Sequence, residues 1–361
     1  MYDYIIVGSG LYGSVFAYEM NKLGKRCLII ERRNHIGGNC YTENRSGIEV
    51  HIYGPHIFNT NSKKIWDYIN SIYPFIPYYH NVKVNYCGRL YTFPVNLNTM
   101  NELWGITSPQ EAIKKLDSVR ISNLEINNLE SLILSELGEE IYNKFYKGYS
   151  EKQWGMSCDK IPSKIGARIP IRNNYNNNYH NSVYSGIPLN GSYTNIFNRL
   201  LEGIEVKLGE EFNSSNWRSL GKKLVYSGSI DEYYGYRYGK LGYRSLEFDH
   251  KELAIDNYQG ISQVNYGEKE VPYTRIIEHK WFNYVNNEKT IITYEYPKAH
   301  EIGMERYYPI VNEYNNELYS RYRDIDNDII FGGRLGSYKY LDMDKVIGMS
   351  LRDVDHELSA I

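Results

Sequence analysis

Tyr2-Asp3-Tyr4-Ile5-Ile6-Val7-Gly8-Ser9-Gly10-Leu11-Tyr12-Gly13 opens the chain and decides its architecture. Tyr4 to Val7 reads as a buried strand, the glycines as a turn, and the apolar spacing from there to about Leu23 as a helix. Arg26 to Ile30 then returns as a second strand. Strand, Gly-rich turn, helix and strand make one βαβ unit. The three glycines of this G-x-G-x-x-G pattern have different physical reasons. Gly8 permits the tight turn, Gly10 lets backbone approach a pyrophosphate, and Gly13 lets helix and strand pack closely. The helix N-terminus adds N–H donors and the positive end of its dipole. Glu31 follows at the end of the second strand, where a carboxylate can hydrogen-bond a ribose 2′-OH and would repel a 2′-phosphate. The unit therefore reads as a site for FAD or NAD and not NADP.

Outward from this unit the periodicity changes. Between about 97 and 150, Trp104, Ala112, Ile113, Leu116, Leu129, Leu132, Leu137, Ile141 and Phe145 recur at three- and four-residue spacings, which predicts helices. Arg172 to Tyr193 is rich in Asn, Gly, Ser and Tyr and reads as loops and edge strands. From about 200 to 310 short β-type runs, such as Lys223 to Tyr226, Ile261 to Tyr266 and Thr290 to Tyr294, suggest antiparallel strands. Gly332-Gly333-Arg334 follows a further strand pattern, and Met343 to Val354 reads as a closing helix. With 361 residues, 42% of them hydrophobic, the chain can bury a large core, and a net charge of −2 supplies no basic field for nucleic acid or an anionic membrane surface. Four scattered cysteines show neither zinc-ligand spacing nor a disulfide framework, so no metal is expected and a reducing cytoplasm fits. No apolar run approaches membrane-spanning length, and the strand pattern directly after Met1 leaves no room for a signal peptide.

Arg32 to Asn39, with Gly38 and Asn39 at its end, resembles the Glu-x5-Gly-Gly extension of the large FAD-binding superfamily that includes amine oxidases, which favours FAD. Gly332-Gly333-Arg334 resembles that superfamily's second flavin-contact segment. Five further segments are more specific: Tyr53-Gly54-Pro55-His56-Ile57-Phe58, Lys147 to Gly155, Arg168-Ile169-Pro170, Val271 to His279, and Gly332 to Met343. In this order they resemble the bacterial UDP-galactopyranose mutase family over nearly the whole chain. The resemblance implies an α/β fold: an FAD-binding Rossmann-type domain with an inserted helical subdomain and an antiparallel β-sheet domain. The expected partition is 1–76, 200–242 and 325–361 for the nucleotide domain, 97–165 for the helices, and 77–96, 166–199 and 243–324 for the substrate sheet.

In function the resemblance implies interconversion of UDP-galactopyranose and UDP-galactofuranose, or a closely related UDP-sugar, for cell-surface polysaccharide synthesis. Reduced flavin N5 would attack the anomeric carbon with no net redox change, so an external reductant such as NAD(P)H is required. A homodimer is implied as well. Arg168 and Arg275 match the family's two diphosphate arginines, whose fixed charge suits a leaving diphosphate. Phe145, Tyr149, Gln153, Trp154 and Tyr179 match positions around uridine, although Phe145 and Tyr149 could equally be an i, i+4 core pair. Tyr308 and Tyr340 match tyrosines near the diphosphate, while Asn265, Glu295 and Asp342 match residues near flavin and sugar. Gly8, Gly10, Gly13, Glu31, Gly38, Asn39, His56, Arg334, Asp342 and Met343 form the expected cofactor set. Two positions depart from the pattern: Asn59 stands where the family has His, and His80 where it has Asn. The exchange either alters which sugar is accepted, with UDP-N-acetylgalactosamine or UDP-arabinose as alternatives, or preserves the galactose site by compensation. Two rival classes share parts of these features. An FAD-dependent oxidase or dehydrogenase would show net substrate oxidation, and a non-catalytic UDP-sugar-binding protein would bind without turnover.

Overall fold

In the computed structural model, residues 1–325 and 328–359 are described. The Gly-rich unit forms the centre of a five-stranded parallel sheet ordered Glu205–Leu208, Cys27–Glu31, Tyr2–Val7, Gly221–Tyr226, Ile329–Phe331. Its two first strands run in register from Tyr4 opposite Cys27 to Val7 opposite Ile30, so the turn after Val7 and the carboxylate of Glu31 emerge at the same sheet end. Ligand sites form outside the carboxyl ends of such strands. Gly221–Tyr226 is parallel, not antiparallel as its position among the β-type runs suggested. Leu224 and Val225 are fully buried, and an uninterrupted apolar run is what a strand covered on both faces requires.

The helix Leu11–Lys22 is buried on most of its circumference, from Tyr12 through Ala17 and at Met20. It lies between the parallel sheet and the closing helix Met343–Ser359. There Tyr12 donates to Asp353 at 2.6 Å and Ser350 donates to the Tyr12 carbonyl at 2.9 Å. The closing helix extends five residues beyond the end read from sequence, and its buried Ile347, Ser350 and Val354 keep helical spacing.

A second sheet has seven strands, ordered Tyr308–Pro309, Tyr243–Leu253, Thr290–Ala299, Arg275–Glu278, Gln263–Tyr266, Val82–Tyr86, Arg89–Phe93. Its pairings are antiparallel except that of Gln263–Tyr266 with Val82–Tyr86, which makes the sheet mixed. Those two strands are joined only through the intervening helices and strands, the long crossover that a parallel pair needs. The helices Leu97–Trp104, Pro109–Val119 and Leu129–Ile141 start at Asn96, Ser108 and Asn128, each closing a capping box. Their core, with Leu116, Ile133 and Leu137, is continuous with Val82, Val84, Tyr91 and Phe93 of the sheet edge. A small sheet joins Phe58–Thr60, placed by sequence with the nucleotide part, and Phe75–Pro77, which straddles the expected boundary after residue 76, to Tyr184–Pro188, placed with the substrate part.

After Leu129–Ile141 the chain widens into a π-turn at Tyr142–Lys147 before the helix Gly148–Trp154. That extra residue per turn rotates the next helix about its own axis. Tyr142, Phe145 and Tyr146 remain in the core, while Tyr149 is carried toward Arg275 of the second sheet. Among the described residues no helix is long and apolar enough to cross a membrane, and no group of His, Cys, Asp and Glu could hold a metal ion.

A Cβ on Gly13 would lie 2.2 Å from the Gly8 carbonyl oxygen and 3.0 Å from the Ile6 Cγ2. Backbone cannot swing aside there, so Gly13→Ala is expected to cost about 1–3 kcal/mol by overpacking, read from the urea unfolding midpoint. An unchanged midpoint would show that helix and strand can separate freely.

Candidate functional site

The crevice at the end of the parallel sheet is a cavity of about 350 Å³. Gly8, Gly10, Glu31, Arg33, Gly38, Asn39, His56, Arg334 and Met343 line it, together with Phe212, Tyr226 and Tyr233, which lie in the 200–242 stretch expected in the nucleotide domain but were not named as site residues from sequence. A Cβ placed on Gly10 would meet only the Gly38 Cα, at 3.9 Å, so the space it would take belongs to the cavity. Gly38, with φ +55°, would bring its own Cβ to 2.9 Å from the Gly10 Cα. Two bare backbones thus face each other across the entrance. Glu31 is nearly enclosed. One carboxylate oxygen accepts the Ser9 N–H and the Ser9 hydroxyl, both at 2.8 Å, and the other accepts the Arg33 N–H at 2.9 Å. It therefore holds the Gly-rich turn closed and retains lone pairs for a further donor.

Arg33 donates to Asn39 at 3.0 Å, pairs with Glu305 at 2.7 Å and lies 4.2 Å from the Tyr53 ring centroid. A backbone-lined helix start, an accepting carboxylate and enclosed guanidiniums fit a dinucleotide, with Glu31 toward a ribose and the Gly8 to Gly10 amides toward the phosphates. Gly13 does not line the cavity but sets the helix against the strand. Asp342 does not line it either: its carboxylate is ion-paired with Arg168.

The second cluster lies where the helix Gly148–Trp154 meets the second sheet. Arg275, at the start of its strand, is opposite Glu295 on one neighbour and Asn265 on the other. Its guanidinium pairs with Glu295 at 2.7 Å, and the carboxylate is fully buried. Burial alone would disfavour the charge on Arg275, but Glu295 outweighs it and keeps the arginine firmly protonated, with the hydroxyls of Tyr149 and Tyr308 close by. Arg168 stands 4.5 Å from the Tyr340 ring centroid. Tyr340 stacks on Tyr308 at 5.5 Å, and Trp154 approaches both rings at 6.0 and 6.2 Å. Arg334 stands 5.8 and 5.7 Å from the same two rings, which places the tyrosine stack beside the nucleotide cavity. Arg275 and Arg168 both act electrostatically on Tyr179. Burial holds the Tyr149, Tyr179 and Tyr308 hydroxyls in their protonated, donating form.

Gln153 is buried and its Oε1 has no hydrogen-bond partner, an acceptor waiting for a donor. The backbone carbonyls of Gln153 and Lys152 accept from Arg244 at 3.0 and 3.1 Å, which fixes this end of the helix. Phe145, in contrast, sits in the core between Tyr91 and Phe93, and Phe93 in turn touches Tyr179. Its place is one ring behind the cluster.

Asn265 accepts from Gln263 at 2.8 Å, which leaves the Gln263 oxygen to accept from His80 Nε2 at 3.2 Å. His80 is thereby fixed as the Nε2–H tautomer, with a buried, unpartnered Nδ1. Asn59 accepts from Ser182 at 2.9 Å. The two departing residues thus contact the same stretch, since the His80 carbonyl accepts the Tyr179 N–H at 2.7 Å and the His80 ring stacks on His180. Ser9, Arg33, Gln263, His180, Arg244 and Glu305 were not singled out from sequence. Arg33 lies within the Glu-x5-Gly-Gly extension and His180 follows Tyr179, but Glu305 and Gln263 carry no local signal.

A family model described as UDP-galactopyranose mutase matches residues 144–340, and one for an NAD(P)-binding Rossmann-like domain matches residues 6–72. The chain is 38% identical to a probable UDP-galactopyranose mutase of Klebsiella pneumoniae, over 99% of this chain and 95% of that protein. It is 37% identical to a dTDP-fucopyranose mutase of Escherichia coli, over 95% of each. A crystal structure of reduced UDP-galactopyranose mutase superposes with TM-score 0.78, covering 100% of this chain and 96% of that one at 15% identity, which speaks for the fold.

Burial depresses His51 and His80 to about 3, and His279 falls well below its ordinary value. The cavity residue His56 is held by its N–H donating to His51 Nδ1 at 3.0 Å, and His279 Nδ1 accepts the His51 N–H at 3.2 Å. Those nitrogens must stay unprotonated. Because the folded values are lowered, the unfolded chain takes up protons first. Stability is complete above the ordinary histidine value near 6.5 and is lost as pH falls below it, continuing down to about 3. Each histidine contributes about 1.4 kcal/mol per pH unit in that window. The urea midpoint is expected to drop clearly between pH 7 and pH 5, and an equal midpoint at both would contradict this.

Proposed function

This chain belongs to the UDP-galactopyranose mutase family, and from that premise we propose that it interconverts the pyranose and furanose forms of a nucleotide-linked sugar, UDP-galactose or a close relative, with FAD in the glycine-lined cavity. The observation that carries the reading is Arg168 set over Tyr340 of the Tyr308–Tyr340 stack, beside Arg334 of that cavity, with the Glu295-paired Arg275 within electrostatic reach of Tyr308. When bound in its reduced form, FAD supplies N5 as a nucleophile toward the anomeric carbon, without net redox change. The chain's residues do the rest by binding and electrostatics. Arg168 and Arg275 neutralise the diphosphate as negative charge grows on it, and Tyr308 donates to a phosphate oxygen. Asp342 holds Arg168 over Tyr340 until a diphosphate competes for it. Trp154, Tyr149 and Tyr179 offer flat faces to the base, and the unpartnered Gln153 oxygen accepts its N–H. Asn59, His80 and Asn265 meet the sugar. An external reductant such as NAD(P)H, a homodimer and a cytoplasmic location belong to the same reading.

A second substrate reading has a specific support. The relative named dTDP-fucopyranose mutase is as similar as the named galactopyranose mutases, and a Gln acceptor serves thymine as well as uracil. The deciding experiment incubates dithionite-reduced protein with UDP-galactose, UDP-N-acetylgalactosamine, UDP-arabinose and dTDP-fucose and separates pyranose from furanose products. One sugar is expected to be interconverted without stoichiometric consumption of reductant. Equal rates with fully oxidised protein would exclude the flavin nucleophile, and net oxidation would point to an oxidase.

Arg275→Ala is expected to lower kcat by about 10²–10³, the usual effect of removing one preorganised contact to developing charge. Near-normal kcat/KM in a variant that retains flavin would remove Arg275 from the diphosphate site.

A further inference from the structure

The helix Gly148–Trp154 belongs to the helical subdomain, whereas Arg275 belongs to the second sheet, yet both must face one ligand. The contact between these two bodies is unusually direct. A Cβ on Gly148 would lie 2.2 Å from the Gly267 carbonyl oxygen, and one on Gly267 would lie 2.1 Å from the Lys144 carbonyl oxygen. One helical turn beyond Gly148, the Lys152 ammonium reaches into the connection between the strands Gln263–Tyr266 and Arg275–Glu278. It donates to the carbonyls of Tyr266 at 3.0 Å, Val271 at 3.0 Å and Tyr273 at 2.9 Å. These three acceptors satisfy all three ammonium protons. Tyr266 directly follows Asn265, and Tyr273 lies two residues before Arg275.

We infer that Lys152 is a positioning residue that fixes the base-binding side chains Gln153 and Trp154 at a set distance from Arg275, by tying their helix to the loop that carries the arginine. The inference rests on the reading of this site as one for a nucleoside diphosphate.

The charged form is the one that fits. A neutral amine has two protons and would leave one of the three carbonyls without its donor. Burial pulls the ammonium down to about 8, opposed by the charges of Glu268 and Glu270 on the same loop. Tyr266 and Tyr273 face it with their carbonyls, and Arg244 occupies the Lys152 carbonyl from the other side. No carboxylate forms a salt bridge with the ammonium among the described residues, which separates Lys152 from an ordinary surface lysine. The geometry is that of a backbone clamp.

The test uses FAD-loaded protein and UDP itself as the probe. In Lys152→Met the dissociation constant for UDP is expected to rise roughly 10- to 100-fold, from lost hydrogen bonds and three carbonyls left without donors. KM should follow it while flavin retention and kcat at saturating sugar nucleotide stay within about threefold, the pattern of lost uniform binding. Lys152→Arg, which keeps charge and several donors, should recover most of the affinity. If Lys152→Met does not fold, Lys152→Gln, with two donors on a shorter arm, is expected to show an intermediate rise. UDP affinity within twofold of the unaltered protein in a folded Met or Gln variant would overturn the inference, as would failure of Lys152→Arg to recover any. Absence of UDP binding by the unaltered protein would instead overturn the reading of the site.

Discussion

Backbone meets backbone at the junctions on which this molecule depends. The helix after the Gly-rich turn sits on its strand because Gly13 presents nothing to the Gly8 carbonyl, and Gly10 and Gly38 face each other bare across the cavity. The same device recurs far from that cavity, where Gly148 and Gly267 bring the helix Gly148–Trp154 onto the second sheet. In each case a missing Cβ allows polar main-chain groups to stand where a ligand or another segment needs them. The rest of the site, from the Glu31 carboxylate to the Lys152 ammonium, is arranged around those approaches.

This explains what could be read from sequence. The nucleotide turn is legible because its constraints are local: three glycines, a helix start and one carboxylate at fixed spacing. The helical stretch is legible through its period. Lys223 to Tyr226 was misassigned because a buried strand of a parallel sheet and a short run of an antiparallel one look alike until both faces are known. Phe145 shows the limit of spacing. Its position beside Tyr149 is compatible with core or ligand, and only the π-turn at Tyr142–Lys147 decides which side chains turn inward. Glu305, Gln263 and Arg244 were invisible because their partners Arg33, His80 and Gln153 lie far away along the chain.

The electrostatics of the second cluster follow from pairing. Arg275 is already neutralised by Glu295, so burying it beside three tyrosines is tolerable. The pair keeps its guanidinium oriented, with Nε donating to Glu295 at 2.8 Å and a second nitrogen 2.7 Å from the same carboxylate oxygen. Arg168 is exposed and paired with a half-buried Asp342, so its position is held far less firmly. One arginine is thus fixed and the other exchangeable.

The strand order of the parallel sheet also governs how the chain reaches its native state. Its five strands come from residues 2–31, 205–226 and 329–331, and the first helix is covered by residues 194–200 and 343–359. Contacts of such sequence separation close late, because loop entropy must be overcome before they form. During synthesis the face of the first helix that meets residues 343–359 therefore waits until almost the whole polypeptide has left the ribosome. The glycine-lined cavity, whose lining runs from Val7 to Val346, is therefore completed late in folding.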